Sequence, residues 1–141
     1  MVEIHFEDVE VLDLSPEFFI SWLSNVCVSE GEELGDLNLV FCSDEYLLKM
    51  NIDFLEHDYY TDIITFDYSD EVVSGDLFIS YERVLENSNK NNEGFKKELY
   101  RVIVHGVLHL LGYHDKTMQE AATMRDKEDY YLEDVPRGTF R

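Results

Sequence analysis

The sequence predicts an α+β fold: one small mixed β-sheet of about four strands, packed with helices. Three observations predict it. Four short segments show the alternation or β-branched content of strands, and several longer ones carry apolar residues at helical spacing. The order of the segments, with two sequential strands in the middle of the chain, suits a mixed sheet covered by helices. At 141 residues the chain is long enough for one core, so a single domain over residues 1–141 is expected, with 133–141 a frayed tail.

Taken in order, Val2 to Phe6 alternates apolar and polar residues and reads as a first strand. Ser15-Pro16-Glu17 starts a helix, with a side-chain acceptor at the N-cap, proline at the first helical position and an acid near the positive end of the dipole. Phe18, Phe19, Trp22, Leu23 and Val26 follow at helical spacing and form its core face. Leu37, Leu39 and Phe41 mark a second strand, and Ser43-Asp44-Glu45 opens a helix carrying Tyr46, Leu47, Met50 and Phe54 inward. A polar and aromatic loop, Glu56 to Tyr60, precedes the β-branched run Thr61 to Phe66. Tyr68 to Gly75 reads as a loop and Asp76 to Tyr81 as the next strand. Helical spacing resumes at Val84 and Leu85, breaks in the Asn-rich run Asn87 to Gly94, and returns from Phe95 through Leu111. Thr117-Met118-Gln119-Glu120 fits a capping box that starts a last helix, to about Leu132.

Composition narrows the function classes. A formal charge of −20 argues against non-specific adhesion to nucleic acid or anionic membrane, both of which draw on clustered Lys and Arg. The N-terminus has no basic segment leading into an apolar run, and no 18-residue apolar stretch occurs, so a cytoplasmic protein without a membrane partner is expected. Cys27 and Cys42 lie in apolar surroundings without metal-type spacing and are expected to be reduced core thiols.

The chemistry concentrates in His105 to Asp115, reading His-Gly-Val-Leu-His-Leu-Leu-Gly-Tyr-His-Asp. His105 and His109 are four apart on one helical face and can grip one metal ion. Gly112 terminates that helix, and the turn can swing His114 or Asp115 back to the same ion. Three protein ligands plus a water is the usual catalytic zinc arrangement, so one Zn2+ is expected. The spacing His-x-x-x-His-x-x-Gly-x-x-Asp resembles the metzincin zinc proteases. Those carry a glutamate base after the first histidine; here that position is Gly106, so the metal cradle survives without the protease base.

A second resemblance covers most of the chain. His105-Gly106-Val107-Leu108-His109-Leu110-Leu111-Gly112-Tyr113 resembles the hallmark of the YbeY family of bacterial ribosomal RNA maturation factors. Met50-Asn51, Thr61-Asp62-Ile63-Ile64-Thr65-Phe66 and Gly75-Asp76-Leu77-Phe78-Ile79-Ser80 resemble further family blocks in the same order. The resemblance implies a metal-bearing helix beside a four-stranded sheet and a zinc-dependent endoribonuclease of single-stranded RNA. It further implies a role in small-subunit ribosomal RNA 3′ end processing and ribosome quality control. Its implied partners are ribosomal RNA and the ribosome or a ribosomal protein; the acidic charge assigns recruitment to the latter. Two departures stand out. The family ending is Gly-Tyr-Asp-His, whereas here Gly112-Tyr113-His114-Asp115 places Asp115 at the ligand position, with His114 the alternative third ligand. The family also carries an arginine where this chain has Leu55. Arg101, one helical turn before His105, is a candidate catalytic substitute, against a reading as a solvated residue paired with Glu98. His57 and Asp58 are candidates to line the cleft, and Met124 to underlie the metal or simply fill the core. Two other functions remain open on these residues: a zinc hydrolase of another ester or amide, and a non-catalytic assembly factor with structural zinc.

Overall fold

Side chains alternate across a strand, and here the two resulting faces meet different helices. In the computed structural model, which describes residues 1–140, the strands are β1 (Val2–Phe6), β2 (Leu34–Cys42), β3 (Ile63–Asp67) and β4 (Val73–Ser80). They form one sheet in the order β1-β2-β4-β3, with β1, β2 and β4 parallel and β3 antiparallel on the edge. The helices are α1 (Pro16–Ser29), α2 (Asp44–Leu55), α3 (Tyr81–Lys90), α4 (Phe95–Leu110) and α5 (Met118–Leu132). Leu37, Leu39, Phe41, Leu77 and Ile79 share a core with Phe19 and Leu23 of α1 and Ile103 and Val107 of α4. The alternate residues Cys42, Ile64, Phe66 and Phe78 pack with Leu47 and Met50 of α2. The mixed sheet and its helices are those the sequence predicts.

Helix ends follow the sequence chemistry. The Ser15 hydroxyl accepts from Phe18 N–H at 3.2 Å with Pro16 opening α1, and Thr117 and Glu120 make the reciprocal capping box of α5. α4, which carries the histidines, is apolar on nearly every side because it is covered by the sheet, α3 and α5.

Several boundaries differ from expectation. β2 starts at Leu34, with an irregularity between Leu34 and Leu37 that the apolar pattern does not reveal. α3 runs through Asn87 and Ser88 to Lys90 where the sequence reads a loop. Ser80 caps it, Ser88 donates to Leu85 O at 2.7 Å within the helix, and the Asn87 amide reaches Asp62 at 3.4 Å across the fold, so two local bonds and one tertiary bond together offset weak helix propensity. Phe54, expected inward, is 67% exposed. The frayed tail is also corrected: Val135 is buried, Arg137–Phe140 forms a 3-10 turn, and the Phe140 ring meets Tyr100 edge-on at 5.5 Å. Arg141 lies outside the described residues. Both cysteines are free and buried, and burial pushes Cys27 up to about 11 and Cys42 to about 12, which keeps them as inert thiols.

Gly106 has a packing role the sequence does not disclose. A Cβ there would lie 2.8 Å from Ile63 Cδ1 and 2.9 Å from Leu77 Cδ1, so the missing side chain lets α4 settle on β3 and β4. Alanine is the better helix former by about 1 kcal/mol, yet overpacking a core costs about 1–3 kcal/mol. Gly106→Ala is therefore expected to lower stability by about 1 kcal/mol in urea denaturation. A glutamate at this buried position, as a protease would need, has no room.

Candidate metal centre

α4 closes on Gly112, which adopts φ 103°. Gly112 N–H donates to His109 O and Tyr113 N–H to Leu108 O, both at 3.0 Å, the paired bonds of a helix stop with a left-handed glycine. The reversed chain brings Asp115 back over the helix. His105 Nε2 and His109 Nε2 are 3.0 Å apart, and Asp115 Oδ2 lies 3.3 Å from the first and 3.5 Å from the second. Among the described residues these three are the one group whose metal-ligating atoms fall within 4.8 Å of one another. His114 is exposed and faces a separate recess with Thr117 and Glu120.

The donor chemistry fits a cation. His109 Nδ1 lies 2.9 Å from Tyr113 O, and a carbonyl only accepts, so Nδ1 carries the proton and Nε2 presents a lone pair. His105 Nδ1 lies 2.6 Å from a Glu128 carboxylate oxygen, which orients that ring the same way. Two lone pairs and a carboxylate oxygen thus converge at 3.0–3.5 Å, an arrangement that repels itself unless positive charge sits between them. Without metal, burial opposes protonation of His105, but the Glu128 hydrogen bond and the charges of Glu128, Asp62 and Asp115 outweigh it and raise its pKa. The site attracts positive charge whether proton or metal.

Behind the histidines lies a buried ionic network. Arg101 is 4% exposed, so the solvated reading does not hold. Its guanidinium donates to Glu128 at 3.1 Å and to Asp129 at 2.8 Å, with Glu93 at 3.6 Å, rather than pairing with Glu98. Glu98 is itself buried with one oxygen unpartnered, and burial raises its pKa to about 7 despite Arg101 nearby. This has a consequence for stability. The folded-state pKa exceeds the unfolded value of about 4.5, so the contribution of Glu98 to stability is fully present below pH 4.5 and is lost as pH rises through about 7. Glu98→Gln removes that loss and is expected to exceed wild type by about 2–3 kcal/mol at pH 8, converging with it near pH 4. Urea denaturation of both proteins across this range measures it.

The triad opens on a cleft of ≈ 600 Å³ whose wall includes Leu55, His57, Tyr59, Asp62 and Lys116. His57 therefore lines the cleft as expected; Asp58 is exposed and is not part of the wall. Met124 is buried and lines a smaller cavity with His105, Asp115 and Glu128. Leu55 leaves no cation at its position. Lys116, unremarked in the sequence, stands on the wall beside Asp115. Glu128 was also missed, although it lies four residues after Met124 on the same face of α5 and so was within reach of helical spacing. Asp62, whose carboxyl burial pushes above the usual range, sits between the cleft and the ionic network.

Known proteins resemble this chain over most of its length. The profile of the family described as Endoribonuclease YbeY matches residues 5–136. A protein of that name from Flavobacterium johnsoniae is 47% identical over 130 residues, 92% of this chain and 93% of the relative. Another from Cytophaga hutchinsonii is 53% identical over 114 residues, covering 79% and 80% of the two chains. The solution structure of TM1509 from Thermotoga maritima superposes with a TM-score of 0.66 at 29% identity, covering 94% of this chain and 87% of that one. With a family match spanning nearly its full length and relatives of this identity and coverage, the chain belongs to the Endoribonuclease YbeY family.

Proposed function

We propose that the protein is a zinc-dependent endoribonuclease of single-stranded RNA, acting in the cytoplasm in small-subunit ribosomal RNA 3′ end maturation and ribosome quality control. The observation that carries this reading is the convergence of His105, His109 and Asp115, both imidazoles pre-set as ligands, in an open cleft of a chain from this family. Zinc held by these residues supplies Lewis acidity for hydrolysis of a phosphodiester bond. Imidazole nitrogen and carboxylate oxygen are acceptable zinc donors, and a three-residue set suits a catalytic rather than a structural site. Glu128 and the Tyr113 carbonyl hold the ligand rings, and Lys116 offers the cleft a cation toward the phosphate. Arg101, a catalytic candidate by its spacing, acts instead through Glu128, since its guanidinium is buried against three carboxylates. No described helix is long and apolar enough to cross a membrane.

With −20 charges, affinity for RNA rests on contacts other than bulk electrostatics, and the ribosome or a ribosomal protein supplies recruitment. Tight binding of naked RNA with a steep salt dependence would overturn that. The function is tested by elemental analysis of the purified protein and by cleavage of single-stranded RNA before and after chelation, with zinc restored. Cleavage should stop on chelation and return with zinc. Cleavage indifferent to metal removal, or zinc that leaves only when the protein unfolds, would sink the reading.

A further inference from the structure

The cleft that holds the metal ligands is also lined by an aromatic pair, His57 and Tyr59, that the hydrolytic chemistry does not use. Asn51, 2% exposed, holds the loop after α2 at two points: its carbonyl accepts from His57 N–H at 3.0 Å, and its side-chain amide donates to Tyr59 O at 2.8 Å. Glu56 takes the left-handed conformation, φ 57°, that reverses the chain between them. Thus tethered, the His57 imidazole stacks on the Tyr59 ring, with centroids 5.1 Å apart and planes 19° from parallel, and the Tyr59 hydroxyl meets His57 Nδ1 at 3.0 Å. Tyr59 nevertheless remains 56% exposed on the rim of the cleft that holds the triad. A tyrosine backed in this way has less side-chain freedom to lose on binding.

The charges of the same wall indicate what would cover it. Asp62, Asp67 and Asp115 face the cleft against Lys116 as its one lysine or arginine. Zinc on the triad and Lys116 would attract phosphate only at the reacting position, so the rest of a bound ribonucleic acid strand, facing an acidic wall, is better held through its bases. An exposed aromatic ring offers that hold, since every base has a stacking face and unpaired bases can be splayed onto it. We propose that Tyr59, backed by His57 and tethered by Asn51, is the stacking platform for one unpaired base of the RNA whose backbone passes the metal triad. This rests on the endoribonuclease reading and adds to it a reason for single-strand preference: paired bases cannot leave their helix to reach the ring.

The test uses the zinc-loaded full chain and a short single-stranded RNA carrying 2-aminopurine, whose fluorescence is quenched by stacking. Wild type should quench the probe on binding. Tyr59→Ala should lose the quenching and bind at least about fivefold more weakly, the loss appearing in KM more than kcat. Tyr59→Trp should restore both. Zinc content should match wild type throughout, and an RNA with an abasic site at the probe position should bind wild type and Tyr59→Ala alike. Equal quenching and affinity in wild type and Tyr59→Ala would overturn the platform. Quenching by wild type without cleavage would support the platform while overturning the nuclease reading.

Discussion

His109→Ala is expected to lose its zinc and at least about a hundredfold of its RNA cleavage, because merely disturbing a residue behind a metal ligand costs about 10–100-fold. Its ring supplies one of three converging donor atoms and lies 3.0 Å from the second. Folding should survive. The lost contact is one hydrogen bond to Tyr113 O, worth about 1 kcal/mol, and alanine is a stronger helix former. Asp115→Ala should follow the same course, since its Oδ2 faces both imidazoles. His114→Ala should keep zinc and activity, its ring lying outside the triad. Elemental analysis of the three variants beside wild type decides the matter. Zinc lost from His114→Ala and retained by Asp115→Ala would transfer the third ligand to His114.

Glu128→Ala should weaken zinc affinity about 10–100-fold while leaving all three ligands in place. The carboxylate fixes His105 through a 2.6 Å bond to Nδ1 and is fixed in turn by Arg101 at 3.1 Å. Without it the imidazole is free to turn or to move its proton to the ligating nitrogen. Arg101 keeps Asp129 and Glu93 but loses its most buried partner, which is expected to cost about 1–3 kcal/mol of stability. Glu128→Gln, able to accept from His105 but not to balance the guanidinium, should recover more zinc affinity than stability. Competition with a chromophoric zinc chelator and urea denaturation separate the two effects. Reduced stability with unchanged zinc affinity would reduce Glu128 to a structural role.

Local signals were legible because they act over a few residues. Ser15-Pro16 starts α1 and Thr117 with Glu120 caps α5 through bonds made within one helical turn. His105 and His109 share a face for the same reason, and Gly112 stops α4 with two bonds that reach back three and five residues. Where the sequence reading failed, a distant residue intervened. The Asn-rich end of α3 is helical partly because Asn87 meets Asp62 across the fold. Phe54 stays largely exposed although its helical spacing suits the core, meeting the sheet only through the edge of Phe66, because α2 covers the sheet with Leu47 and Met50. The tail is held by Tyr100, forty residues earlier in the chain.

The sequence by itself determined the α+β class, the metal helix with its glycine stop, and the spacing that puts His105 and His109 on one face with His114 or Asp115 able to return to them. Those features depend on helical and strand periods and on turn chemistry, which are properties of short segments. Only the tertiary structure decided which groups stand behind and around the ligands: Glu128 from α5 on His105, Arg101 turned away into a buried network, and Gly106 as the contact point of α4 on the sheet. The same holds for Tyr59 on the cleft rim. These relations join residues far apart in the chain, and the packing of whole elements sets them, which no local period encodes.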